Sequence, residues 1–253
     1  MAKIALVTGA TSGIGEAVAF ALGKEGYNLI ITGRRVALLS KLAKNLETIC
    51  KVKVLPLSFD VREPSQVEHY LGNLPNQWGE IDVLVNNAGL AVGLNPINSG
   101  IIDDWERMID TNVKGLLYVS KIVSNIMIRR GNGQIINIGS VAGKDVYPNG
   151  NVYCASKHAV DALSKGMMMD LHKHNIRVSQ VCPGAVETEF SNIRFKGDAE
   201  KAASVYKGFT PLKATDVAEV ILFIVKAPAH VNISDLVVMP TAQAGVSIID
   251  KKS

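Results

Sequence analysis

Cysteine is scarce: the 253 residues contain three, Cys50, Cys154 and Cys182, odd in number and far apart. A disulfide framework is therefore not expected, and reduced, buried thiols are. No cysteine or carboxylate stands at metal spacing beside the "HKH" at 172–174, so those histidines read as solvated helix-end residues and no metal site is expected. Long apolar runs are also missing. The longest, such as "VILFIV" at 220–225, fall far short of the ~20 residues needed to cross a bilayer. Met1-Ala2-Lys3 leads straight into a strand pattern, so no signal peptide is expected and the cytoplasm is the expected location. Neither sign of charge dominates: 27 basic against 23 acidic residues give a net charge of +4, too mild and too evenly spread to point to nucleic acid.

What remains is an ordinary globular composition, 47% hydrophobic and 20% charged, of a length that suits one α/β domain over residues 1–253. Short apolar runs ("KIALVT", "YNLIIT", "KVKVLPLSF", "IDVLVN", "GQIINIG", "IRVSQVCP", "SDLVVM") alternate with longer helical patterns, including one long stretch over 104–130. The runs lack strict alternation, as parallel strands covered on both faces do, and the rhythm predicts a doubly wound sheet. Residues 184–210 break that rhythm, with no strand pattern and many Glu, Lys, Gly and Phe. Following a strand's carboxyl end, such a segment is either a lid or a plain surface excursion.

The first strand ends in "TGATSGIG", where Gly9, Gly13 and Gly15 precede a helix. Glycines there permit a tight turn and let a pyrophosphate approach backbone N–H groups at the positive helix end. An acid at the end of the second strand would bond a free ribose 2′-hydroxyl; this chain carries Arg34 and Arg35 instead. Guanidinium groups pair with phosphate through charge-assisted bonds, so the expected cofactor is NADP.

Downstream stand "NNAG" at 86–89, "DTN" at 110–112, "IGS" at 138–140 and "YCASK" at 153–157. Tyr153 and Lys157, four apart at a helix start, face the same side. A phenol is a poor acid–base group at neutral pH, and a neighbouring ammonium is expected to lower its pKa. Ser140 can bond a substrate oxygen, and Asn112 can hold a water that leads protons away.

These residues, in this order, resemble the short-chain dehydrogenase/reductase family from end to end, with Asp60-Val61 and "PGAVET" at 183–188 among the matches. The resemblance implies a seven-stranded Rossmann sheet, hydride transfer to or from a nicotinamide cofactor, and a catalytic tetrad of Asn112, Ser140, Tyr153 and Lys157. It implies a cofactor surface of Gly9, Thr11, Ser12, Gly13, Ile14 and Gly15 at the turn, Arg34 and Arg35 at the second strand, and Asp60 and Val61 at the adenine. Asn87, Ala88 and Gly89 would follow on the adenosine side. Pro183, Gly184, Val186 and Thr188 would lie towards the nicotinamide, with Thr188 at its carboxamide and Lys157 at its ribose. NADP-preferring members often carry a basic residue within the glycine turn; Ser12 stands there, so the preference rests on Arg34 and Arg35.

A narrower resemblance lies in "VYPNGNVYCASK", "TEFSNIRFKGD" at 188–198 and "PAHVNISDLVVMP" at 228–240, which look like the NADP-dependent 3-hydroxy acid dehydrogenases. That group oxidises serine and allo-threonine and reduces malonic semialdehyde; this chain has one residue fewer before "TEF". A 3-oxoacyl-carrier-protein reductase is the rival reading, and a non-catalytic NADP sensor a distant one that should have lost a tetrad member. Besides Ser140 and Tyr153, the expected substrate residue is Arg194, whose planar fork matches a carboxylate, whereas Lys196 should face solvent or pair with Asp198. Helices over 112–130 and 152–174 carry apolar residues on more than one face, Met167, Met168 and Met169 among them, which predicts a homotetramer.

Overall fold

All seven apolar runs become strands of one parallel sheet in the computed structural model, which describes residues 2–252. The chain runs β1 (Ile4–Val7), α1 (Gly13–Lys24), β2 (Asn28–Thr32), α2 (Val36–Cys50), β3 (Val54–Leu57), α3 (Pro64–Gly72), β4 (Ile81–Asn86), α4 (Ile102–Ile109) and α5 (Leu116–Arg130). It continues through β5 (Gly133–Ile138), α6 (Asn151–Leu171), β6 (Ile176–Pro183), β7 (Val186–Glu187), α7 (Phe190–Arg194), α8 (Ala199–Ser204), β8 (Leu212–Lys213), α9 (Ala214–Lys226) and β9 (Asp235–Val238).

The sheet order is β3-β2-β1-β4-β5-β6-β9, with every neighbouring pair parallel. Burial explains the missing alternation: all four residues of β1 are buried, whereas edge strand β9 alternates exposed and half-buried. The other edge strand, β3, tolerates Pro56 because only one of its sides needs ladder donors. One face of the sheet packs Val18, Leu22, Leu46, Val217 and Ile221 of α1, α2 and α9 against Ala5 and Val7. The other packs Val67, Val119, Val123 and Leu171 of α3, α5 and α6 against Ile4 and Leu6.

Two details depart from the sequence expectations. The stretch 104–130 is not one regular helix, because residues Asp110–Gly115 between α4 and α5 form a π-helical turn. And 184–210 does contain a strand, the two-residue β7, which pairs with β8 as a separate small sheet. A two-residue ladder leaves no periodic trace in sequence.

Candidate active site

Strand order reverses between β1 and β4, so their outgoing connections diverge and open a crevice at the carboxyl end of the sheet. The glycine turn forms one wall. Gly9 and Gly13 have φ of +64° and +57°, a region that L side chains rarely adopt. A Cβ on Gly9 would fall 2.8 Å from the Ala88 Cα, and one on Gly15 would collide with the Gly9 carbonyl and the Asn87 side chain. The crowding has a cause. Asn87 Nδ2 donates to the carbonyls of Thr8 (2.9 Å) and Gly9 (3.0 Å), while Thr8 Oγ1 accepts from the amides of Asn87 and Ala88, both at 3.0 Å. Asn87 therefore fixes the glycine turn against β4. Asn86 extends the scaffold inward, its Nδ2 donating to Ser120 Oγ and Asn137 Oδ1, both at 2.9 Å.

A cavity of about 340 Å³ runs from this turn to the first turns of α6. Of the residues expected at the site, Gly9, Ser12, Gly13, Ile14, Asn87, Ala88 and Gly89 line its inner end, and Ser140, Tyr153 and Lys157 its floor. Pro183, Gly184, Val186, Thr188 and Arg194 line the opposite wall. Thr11, Gly15, Arg34, Arg35, Asp60, Val61 and Asn112 do not reach its surface.

The two arginines are already engaged. Arg35 lies across the glycine turn: Nε and Nη2 donate to Thr11 Oγ1 at 3.1 and 2.9 Å, Nη2 also to Ser12 Oγ at 2.8 Å, and Nη1 to Glu189 at 3.0 Å. Arg34 stands 3.5 Å from Asp60, a carboxylate that Arg62 grips in a fork of bonds of 2.7 to 3.1 Å. Burial would raise the Asp60 carboxyl, but the Arg62 bonds and the Arg34 charge outweigh it and hold the group below the usual carboxylate range.

At the floor, Tyr153 and Lys157 are both buried. Lys157 Nζ donates to the carbonyl of Ile138 at 2.8 Å, and burial lowers its pKa to about 8. The phenol of Tyr153 is pushed up, chiefly by burial and then by Tyr147, although Ser140 and Arg194 pull the other way. The expected lowering by Lys157 is thus corrected: the ammonium lies 6.0 Å from the ring centroid, bonded to a main-chain carbonyl, and burial disfavours both charged forms. Ser140 caps a short turn, its Oγ accepting from the amide of Ala142 at 3.1 Å, which leaves its own proton free to donate. Asn112 sits in the π-helical turn, where its amide donates to the Leu90 carbonyl (2.8 Å) and Ser156 Oγ (3.0 Å) and its Oδ1 accepts from the Leu90 amide (2.8 Å). Both its amide protons are used within the protein, so the water-holding capacity of this residue is confined to oxygen lone pairs.

Segment 184–210 crosses the mouth of the cavity. Phe190 packs edge-on against Tyr153 with centroids 5.8 Å apart, and the guanidinium of Arg194 lies 5.2 and 5.7 Å from the rings of Tyr147 and Tyr153. Arg194 Nη2 donates to Tyr147 Oη, and its buried Nε has no partner among the described residues. The segment is pinned on both banks: Gly93 N donates to the Arg194 carbonyl at 3.1 Å, and Glu189 reaches Arg35. Lys196 is exposed, as expected, but its ion pair is with buried Asp104 at 2.7 Å and not with Asp198, which pairs with Lys201 at 3.0 Å. Lys196 has φ of +52°, a conformation that no sequence pattern signalled.

Sequence reasoning missed Tyr147, Glu189, Arg62 and Gln243, the last of which holds the Ala185 amide at 2.8 Å. Only Arg62 was within reach of a local signal, since it lies two residues from Asp60; the Tyr147 and Glu189 contacts span 47 and 154 residues.

A family model described as short chain dehydrogenase matches residues 3–198. The NADP-dependent 3-hydroxy acid dehydrogenase of Salmonella typhimurium is 46% identical over 248 residues, 97% of this chain and 98% of that protein. That of Schizosaccharomyces pombe is 41% identical over 251 residues, 99% of this chain and 97% of that one. Among solved structures, the closed form of serine dehydrogenase complexed with NADP+ superposes with a TM-score of 0.91 at 42% identity, covering 99% of this chain and 100% of that one. The serine dehydrogenase of Escherichia coli gives 0.82 at 39%, covering 95% and 99%. A doubly wound sheet with its crevice at the β1–β4 switch, these matches along nearly the whole chain and the ordered motifs place the protein in the short-chain dehydrogenase family.

Proposed function

We propose that this chain is an NADP-dependent oxidoreductase that interconverts a small 3-hydroxy acid and its 3-oxo product. The observation that carries the reading is the guanidinium of Arg194 beside the Tyr153 ring, its Nε unpartnered among the described residues, at the mouth of a cavity floored by Ser140 and Lys157. A carboxylate and a reacting carbon only one carbon removed need a cation and an acid–base group this close together. The relatives' names point the same way: 3-hydroxy acids for the sequences and serine for the solved structures.

The glycine cradle, which a Cβ at Gly9 or Gly15 would fill, suits a pyrophosphate against Gly9, Thr11, Ser12, Gly13, Ile14 and Gly15. Arg34 and Arg35 would hold the 2′-phosphate, Asp60 and Val61 the adenine, and Asn87, Ala88 and Gly89 the adenosine side. Pro183, Gly184, Val186 and Thr188 would receive the nicotinamide end, with Lys157 at its ribose. When bound, NADP supplies the hydride acceptor. Tyr153 takes the hydroxyl proton in oxidation and returns it to the carbonyl oxygen in reduction; Ser140 donates a hydrogen bond to that same oxygen. Lys157 provides positive charge behind the phenol, and Asn112 leads protons towards solvent.

Cofactor preference follows from Arg34 and Arg35. Each charge-assisted contact to a phosphate contributes about 1.5–3 kcal/mol, so NADP should be preferred over NAD by about tenfold or more. Serine, allo-threonine, 3-hydroxyisobutyrate, malonic semialdehyde and an acetoacetyl thioester, each assayed with both cofactors, test function and preference together. Turnover of the small acids with NADP supports the reading, equal kcat/KM for the two cofactors removes the preference, and activity confined to the thioester favours a carrier-protein reductase instead.

The reading extends to a homotetramer. Met169, Leu117 and Phe223 are exposed on α6, α5 and α9, at 69%, 39% and 63% of their surface, apolar area that a partner subunit would cover. Met167 and Met168, in contrast, are half-buried against the core, so of the three methionines these two belong to the face packed within the subunit and Met169 to the outer one. Light scattering should return a mass near four chains; a monomer overturns this part.

A further inference from the structure

Among the described residues, Arg35 ties the two ends of the crevice together. It lies over the first turn of α1 through the hydroxyls of Thr11 and Ser12, and its remaining Nη1 bonds Glu189, the residue immediately before α7. The two side chains come from positions 154 apart and are exposed at 44% and 54%, so no burial forces them together. Hydrogen bonds from Arg35 hold the Glu189 carboxyl below its usual range, with Ser12 adding to the effect. Glu16, in the first turn of α1, registers the same negative charge: its carboxyl is raised by burial and then by Glu189, against the pull of Arg35 and Lys41. A lid-borne carboxylate thus rests on the cation and the serine hydroxyl that a cofactor phosphate would need, at the amino end of a helix that favours anions.

We propose that Glu189 is an internal anion that competes with the cofactor's 2′-phosphate for Arg35, which makes it a specificity-determining residue and couples phosphate arrival to the lid. The proposal rests on the NADP reading above. Arg35 has five N–H donors: three go to Thr11 and Ser12 and one to Glu189, so a single Nη1 hydrogen is left and a phosphate cannot take the guanidinium with two bonds while Glu189 keeps its own. When the phosphate takes Arg35, Glu189 loses its tether. The next five residues form α7, which carries Phe190 against Tyr153 and Arg194 over it. The 2′-phosphate is thereby sensed at the substrate end without touching it.

The test uses 2′,5′-ADP and 5′-AMP, which differ by that phosphate and lack the nicotinamide half. Their affinities are measured for the full-length wild type, Glu189→Gln, Arg35→Ala and the double variant. Glu189→Gln should bind 2′,5′-ADP about three- to fivefold more tightly, the range an exposed ion pair covers, with 5′-AMP unchanged. In the Arg35→Ala background the same substitution should do nothing. Hydrogen exchange adds a readout on the lid: 2′,5′-ADP, unlike 5′-AMP, should speed exchange over 190–196 in the wild type, and should not in Glu189→Gln. A wild type that binds both nucleotides equally overturns the NADP reading and this proposal with it. A wild type that prefers 2′,5′-ADP, with Glu189→Gln unchanged or weaker, overturns the competition alone and leaves the NADP reading standing.

Discussion

Tyr153→Phe should lower turnover by ~10²-fold or more, the usual reach of general acid–base catalysis, while NADPH still binds and the fold persists. The substitution removes one hydroxyl from a buried ring that packs against Phe190 at 5.8 Å, and the ring itself stays. Burial pushes the phenol up, so the protonated form prevails at neutral pH and Tyr153 is poised to donate to a carbonyl oxygen. The sign of the pH dependence follows. Oxidation, which needs the phenolate, should accelerate as pH rises from neutral into the alkaline range, while reduction should hold level, because a phenol pushed above its ordinary value keeps its proton there. Lys157, lowered to about 8, gives up its ammonium within that range, and where it does so the electrostatic support for the phenolate falls with it. NADPH fluorescence titration and steady-state rates in both directions check these outcomes. A variant with near-normal kcat would remove Tyr153 from the mechanism.

The architecture was legible because it depends on local pattern. A strand such as β1, buried on both faces, must be apolar throughout, and the glycine turn is written in eight consecutive residues. Three of the four residues proposed for catalysis were legible for a similar reason: Ser140 follows the end of β5, and Tyr153 and Lys157 share a face of α6. What stayed hidden are the pairings across the crevice. Nothing near Arg35 announces Glu189, and nothing near Lys196 announces Asp104, because each partner arrives from a distant segment. The protonation of the Tyr153–Lys157 pair was hidden for another reason. Their spacing shows that they are neighbours; only their depth shows that burial outweighs their mutual attraction. The π-helical turn at Asp110–Gly115 leaves no mark in the sequence, since one widened turn does not disturb an apolar stripe.

Arg194→Met should depress kcat/KM for serine or 3-hydroxyisobutyrate by ~10²-fold, the loss of about two charge-assisted bonds at the low end of their range. Reduction of an uncharged aldehyde or ketone should be largely spared. Selectivity for so small an acid has to come from its charge, because it has little apolar surface to bury. The position of Arg194 suits it to hold that charge. Its Nη2 is held by Tyr147 Oη, the guanidinium lies 5.7 Å from the Tyr153 ring, and the buried Nε is unpartnered among the described residues. An anchoring role makes a different prediction. The Tyr147 bond and the Gly93–Arg194 main-chain bond of 3.1 Å also fasten the segment to the cavity wall. Methionine keeps the main-chain bond and much of the apolar stem, so loss of the carboxylate partner should exceed loss of the anchor. Tyr147→Phe completes the comparison, since it releases the guanidinium from its hydroxyl while leaving the ring beneath it. If Arg194 holds the acid, Tyr147→Phe should raise KM for the acids by less than Arg194→Met does, with the uncharged substrate again unaffected. If both variants lose charged and uncharged activities in parallel, Arg194 is an anchor, and selection for a carboxylate must be sought elsewhere on the cavity wall.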